Sequence, residues 1–339
     1  MTSSPGFPPI AIRRAAYVAL VTAFVHIVFG AIVRISGSGM GCGDNWPKCY
    51  GYWFPPFERM DLVIEVMHRY LASVVLVMVA VLVAVVFHHR DSPSTSGRGS
   101  VANAARGALW ITLITALFGA VTVKTSNPAW ATVVHGLLAV SLLAMLIAAT
   151  MRAGGLGAAS VVQSSSAGPA SPAGSAKAVG GATSAAVLAL LVVLLGGLTA
   201  KIPGAAVACA GFPLCGDGSL GGGAQHVQLT HRILAYLLAA HLLSLPLRFR
   251  KRGEPAPVQR AAWIGAGFAL LQIVWAAWMV LGGFPGVVRS LHQATGILIW
   301  ITAFSMLYLA RIAAGRTRIA AQGTSAATAT GRLVPDVAR

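Results

Sequence analysis

Apolar residues in this chain gather into runs of membrane-spanning length, at about residues 15–34, 63–87, 107–124, 129–151, 184–200, 227–247, 260–281 and 289–312. A helix rises about 1.5 Å per residue, so each run is long enough to cross a hydrocarbon layer of about 30 Å, with some tilt in the longer ones. Eight crossings place both termini on one side. The pattern predicts an all-α membrane protein of eight transmembrane helices. The first run is too long and too strongly continued for a cleaved signal peptide and reads as a signal anchor.

Composition agrees, with 56% hydrophobic and 10% charged residues, whereas a soluble domain carries about a quarter charged. A water-soluble core is excluded as the main architecture. The net charge of +17 does not point to nucleic acid, because the basic residues collect at the ends of apolar runs as the positive-inside rule expects. With the N-terminus inside, most of the 25 Lys and Arg residues fall on the inner side. The expected location is a bacterial-type cell membrane, with both termini cytoplasmic and lipid around the spans.

Residues 153–182 are rich in Ala, Gly and Ser and hold Pro169 and Pro172. They are expected to form a flexible cytoplasmic linker between an N-terminal half, 1–152, and a C-terminal half, 183–315. Residues 316–339 are expected to be a disordered cytoplasmic tail.

The two halves resemble each other. Gly30 is followed by Arg34 and Cys42, and Gly197 by Lys201 and Cys209 at the same offsets; Cys49 and Cys215 come next. The following span opens with His68-Arg69-Tyr70-Leu71-Ala72 in one half and His231-Arg232-Ile233-Leu234-Ala235 in the other. Matched Gly, base, Cys, Cys and His-Arg in one order signal a tandem duplication. Each unit has an even number of crossings, so the two four-helix bundles are expected to share an orientation, with a pseudo-twofold axis along the membrane normal.

His68, His135, His231 and His292 each lie near the start of an even-numbered span. Those spans all run outside to inside, which puts the four imidazoles at one depth near the outer surface. Two from each repeat, on facing helices, is the arrangement that clamps one haem iron per half. A lone membrane histidine is more often a packed hydrogen-bonding residue, and His26 and His241, without counterparts in the other repeat, are read that way. His88 and His89 read as interfacial and His226 as exposed. A non-haem metal would want clustered carboxylates or further histidines.

Glu65 stands one turn before His68, and Gln228 holds the matching place before His231. A carboxylate beside a bound ligand can move protons and an amide cannot, so the halves are expected to do different work; the competing role for Glu65 is a favourable charge in a helix N-terminal turn. Arg69 and Arg232 suit haem propionates, or snorkelling to the interface. Cysteines on the outer side meet an oxidising compartment, so disulfides Cys42–Cys49 and Cys209–Cys215 are expected. The second is read as structural; for the first, structural and redox-active roles both stay open.

These residues resemble the haem A synthases, eight-helix membrane enzymes with a duplicated four-helix unit. The resemblance rests on Gly30-x-x-x-Arg34-x-Ser36-Gly37-Ser38-Gly39-Met40 leading into Cys42, on Glu65-x-x-His68-Arg69, on His231-Arg232, and on His135 and His292. It implies an oxidoreductase that converts haem O to haem A by oxidising a ring methyl to formyl through successive hydroxylations, for terminal oxidase assembly. It further implies that His68 and His135, with Glu65 as the catalytic residue, hold the substrate haem O, and that His231 and His292 ligate the iron of a permanent haem b that passes electrons. Cys42 and Cys49 match the family's cysteine pair. The partners implied are a haem O synthase and an electron donor or acceptor in the membrane; the oligomeric state is open. The competing class is a di-haem electron-transfer cytochrome, which is better served by haems at two depths than by four ligands at one.

Overall fold

The computed structural model describes residues 6–92, 94–97, 99–166, 174–209, 211–215, 222–317 and 319. Among them are nine α-helices: α1 (Ile10–Ile35), α2 (Met60–His88), α3 (Val101–Lys124), α4 (Ala129–Arg152), α5 (Ala158–Ser166), α6 (Ala176–Lys201), α7 (Gly222–Lys251), α8 (Ala256–Leu281) and α9 (Gly286–Ala313). All but α5 are long and apolar enough to cross a membrane. Each extends beyond its apolar run because polar residues at the ends continue the helical hydrogen bonding. Proline marks several entries: Pro9, Pro128, Pro255 and Pro285 each precede a helix, where a fixed φ and a missing N–H cost nothing. Ser175 caps α6 by accepting from the Ala178 N–H. Gly253, just past α7, takes φ +65°, a left-handed exit that glycine adopts without strain.

In the first half α1 packs on α2, α2 on α3, α3 on α4 and α4 back on α1; in the second, α6, α7, α8 and α9 close in the same order. The halves meet through α1, α4, α6 and α9. Long apolar side chains such as Val18, Val21, Val77, Leu117, Trp263 and Val274 lie exposed on the outside, as faces turned to lipid do.

Burial is uneven along the helices. Towards the ends away from the disulfide loops, small residues let backbones approach closely: Ala16, Ala19, Ala104, Ala105, Ala108, Ala148, Ala149, Ala182, Ala185, Ala262, Ala303 and Ala310 are all buried. Arg152 ties the halves together there, donating to the Tyr308 hydroxyl (2.9 Å) and the Ser100 carbonyl (3.0 Å). Towards the disulfide end the burial thins. In α3 nothing past Thr112 is buried, and in α8 nothing past Ala269. The helices thus close tightly at one end and stand looser where the histidines lie.

The segment expected to be a flexible linker is partly ordered. α5 occupies 158–166 with Ala158, Val161 and Val162 buried, and packs on α8 and α9; α6 begins at Ala176, well before the apolar run that signalled it. Alanine is the best helix former and buries readily against neighbouring helices, a property that composition alone does not distinguish from linker character. Pro169 and Pro172 lie outside the described residues, as does nearly all of the expected tail, although Ile319 is buried.

Candidate haem clefts

Each half brings two histidines onto facing helices at the disulfide end. His68 on α2 and His135 on α4 lie near enough to interact electrostatically, as do His231 on α7 and His292 on α9. All four stand about two turns from the start of their helices. Glycine makes room for them. A Cβ on Gly30 of α1 would stand 3.2 Å from His68 Cε1, one on Gly196 of α6 3.1 Å from His231 Cε1, and one on Gly119 of α3 3.4 Å from His135 Cε1. The neighbouring backbone therefore forms the wall against which three of the imidazoles rest.

The sequence repeat matched Gly30 with Gly197, yet the glycine that faces a histidine in the second half is Gly196; a Cβ on Gly197 would touch nothing within 4 Å. Counted from the glycine that faces a histidine, the first cysteine comes 12 residues later in the first half and 13 in the second, so the cysteine register and the helix face differ by one position.

Hydrogen bonding separates two kinds of histidine. His89 Nδ1, His226 Nδ1 and His241 Nε2 lie 2.9, 2.7 and 2.8 Å from backbone carbonyls, which is how a packed or interfacial histidine satisfies itself. His68, His135 and His231 each keep a buried Nδ1 with no protein partner, and His292 faces only the Gln272 amide, 3.1 and 3.2 Å from its two ring nitrogens. Paired imidazoles, three of them keeping a buried ring nitrogen without a partner, in a loosely packed part of the bundle, fit a porphyrin iron, which needs two axial nitrogens and brings its own equatorial ones. Among the described residues no group of three or more His, Cys, Asp or Glu is placed to hold a bare metal ion.

Two cleft residues escaped the sequence reading. His26 stacks on His68, with ring centroids 4.4 Å apart, and its Nε2 is buried without a partner. It precedes Gly30 by one helical turn, and that spacing, His26-x-x-x-Gly30, was the available signal. Gln272 occupies the second cleft and has no counterpart in the repeat, so nothing in the sequence alone singled it out.

The cysteines form the two disulfides expected, Cys42–Cys49 and Cys209–Cys215. Glu65 is buried; its Oε2 accepts from the Cys42 N–H (2.8 Å) and its Oε1 from Arg69 (2.6 Å). Gln228 repeats this with an amide: Oε1 accepts from the Cys209 N–H (2.6 Å) and Nε2 donates to the Ala206 carbonyl (3.0 Å). Arg69 also donates to the Pro47 carbonyl (2.8 Å), and Arg232 to the carbonyls of Gly211 (2.6 Å) and Cys209 (2.7 Å). Tyr70 and Tyr236 donate to the Trp53 and Pro213 carbonyls. The residues flanking His68 and His231 therefore clamp the adjacent disulfide loop, and both arginines singled out as propionate partners are directed at loop carbonyls.

The chain matches the family model of the COX15-CtaA cytochrome oxidase assembly proteins over residues 13–63 and 60–304. It belongs to this family. Among its relatives are proteins named haem A synthase. The one from Exiguobacterium sibiricum is 28% identical over 282 residues, covering 80% of this chain and 86% of the relative. The one from Exiguobacterium sp. AT1b is 26% identical over 270 residues, or 78% and 82%. In Geobacillus kaustophilus a stretch of 56 residues is 43% identical, 16% of this chain and 18% of the relative.

Proposed function

We propose that this protein is a haem A synthase that oxidises a ring methyl of haem O to a formyl group, the substrate lying in the N-terminal cleft and a resident haem b in the C-terminal one. The observation that carries the reading is the recurrence, in both halves, of two imidazoles on facing helices, three of them with a buried Nδ1 left without a protein partner and a glycine alongside. Membership of a family whose relatives bear this name supports it. His68 and His135 would hold the substrate iron, and His231 and His292 the iron of haem b. A bound haem supplies a redox couple through which electrons are exchanged.

The remaining roles fall to side chains that differ between the halves. Glu65 is the ionisable member of the Glu65/Gln228 pair, and a carboxylate held between the Cys42 N–H and Arg69 can pass a proton where an amide cannot. His26 adds a third imidazole to the N-terminal cleft. At the matching place, one turn before Gly196, stands Val192, so this feature too belongs to the first half. Gln272 borders His292 in the second half only. The orientation with both termini cytoplasmic, which the distribution of Lys and Arg supports, puts both clefts and both disulfides near the outer face. Haem O then arrives from a haem O synthase, and electrons leave to a partner in the membrane.

The test is to express the chain in cells supplied with haem O, extract the haems and separate them by chromatography. Haem A is the expected product. Recovery of haem B and unchanged haem O alone would refute the synthase and leave a di-haem electron carrier.

A further inference from the structure

α1, α6 and α9, with α9 packed on both of the others, each bring a basic side chain to the disulfide end. Arg34 lies in the last turn of α1, Lys201 ends α6 and Arg289 lies in the first turn of α9. Arg34 donates to Gln293 Oε1 across the boundary between the halves. Gln293 is one turn beyond Arg289 on the same face of α9, which sets Arg34 beside Arg289, and Lys201 lies within electrostatic reach of Arg34. The ion pairs among the described residues join Arg59 to Asp61, Arg69 to Glu65, Arg90 to Asp91 and Lys124 to Asp44, so none of the three cations is neutralised by a carboxylate there. Half-buried like charges brought together repel more strongly than they would in water, and the arrangement calls for an anion.

The cluster borders both clefts. Arg34 is one turn past Gly30, which rests on His68, and Arg289 is one turn before His292; Lys201 ends the helix whose Gly196, five residues earlier, rests on His231. Arg69 and Arg232 are already bonded to loop carbonyls and Lys48 lies over the Trp53 ring, which leaves this trio as the cations at this end without such a partner among the described residues. We propose that Arg34, Lys201 and Arg289 form a shared anion site that takes the propionate carboxylates of the haems held in the two clefts. Guanidinium and ammonium donors give carboxylates charge-assisted hydrogen bonds, and one cluster serving two clefts links the halves through charge. This rests on the haem reading of the clefts.

The experiment titrates the purified full-length chain, in nanodiscs, with iron protoporphyrin IX or with its dimethyl ester, which lacks the carboxylates. Growth of the low-spin absorption is followed. The free acid is expected to bind at least about tenfold tighter than the ester, and the variant Arg34→Gln/Lys201→Gln/Arg289→Gln to bring that ratio close to one while binding the ester as the parent does. If the triple variant loses the ester as well, Lys201→Gln and Arg289→Gln singly carry the same comparison, and Arg34→Lys should keep most of the preference. A ratio that survives neutralisation overturns the proposal. So does a parent ratio near one, and anionic lipid lost from the variant in that case would assign the cluster to a lipid phosphate. Failure to bind either porphyrin would instead sink the haem reading itself.

Discussion

Gly196 and Gly197 are adjacent on α6 and differ only in the direction a side chain would take. Alanine at 196 would put its Cβ 3.1 Å from His231 Cε1, against an ordinary contact range of 3.4–4 Å, whereas at 197 it would meet nothing within 4 Å. Either change raises helix propensity by about 1 kcal/mol. Only the first forces the imidazole or the helix aside by a few tenths of an ångström, an overpacking cost of roughly 1–3 kcal/mol. The ring is a proposed iron ligand, so the displacement should fall on haem binding and weaken it by about tenfold to a hundredfold. The assay is haem content per protein, with the low-spin spectrum and the melting temperature, for Gly196→Ala and Gly197→Ala prepared side by side. Gly196→Ala should lose haem or shift its spectrum, and Gly197→Ala should match the parent. Two variants that behave alike, whether both intact or both depleted, would refute the idea that the α6 backbone is the wall behind His231.

Replacing Glu65 by Gln should leave the loop clamp in place, since Gln228 does the same work with an amide, and should retain both haems while abolishing haem A; an unchanged yield in extracted haems would remove Glu65 from the chemistry. Glu65→Leu, in contrast, leaves the Cys42 N–H and the Arg69 Nη2 without their acceptor, and should lower stability by about 1–3 kcal/mol in a thermal melt. His231→Ala should lose haem b, and a full bis-histidine spectrum in that variant would exclude it as a ligand. Changing His26 to Leu should alter the spectrum of haem loaded into the N-terminal cleft and leave the C-terminal haem as it was; equal perturbation of both would rule out a local role.

The eight spans, the two disulfides and the paired histidines were legible because each depends on a local, repeated pattern: run length, cysteine spacing, and His-Arg at matching places. What the sequence did not show depends on distant contacts. α5 and the first turns of α6 look like linker until Val161 and Ala178 are seen packed against other helices. Arg69 and Arg232 directly follow His68 and His231 in sequence, which suggested propionate partners, but only the folded loops reveal the carbonyls they bind. His26 looked unmatched because its relevance lies in stacking on a residue from another helix. The repeat pairs Gly30 with Gly197, but which glycine faces the histidine, Gly196, follows from helix phase and not from the cysteine register.

The alanine-rich packing at the end away from the disulfides implies that tolerance to substitution is graded along the membrane normal. An enlarged side chain at Ala149, Ala185 or Ala303 has nowhere to go and should prevent assembly of the bundle altogether. Changes of similar size around the histidines fall where neighbours are looser, and should surface as altered colour, ligand exchange or turnover in a protein that still folds. A saturation screen scored once for abundance and once for haem absorbance would then divide into two bands of positions, one near each face of the bilayer.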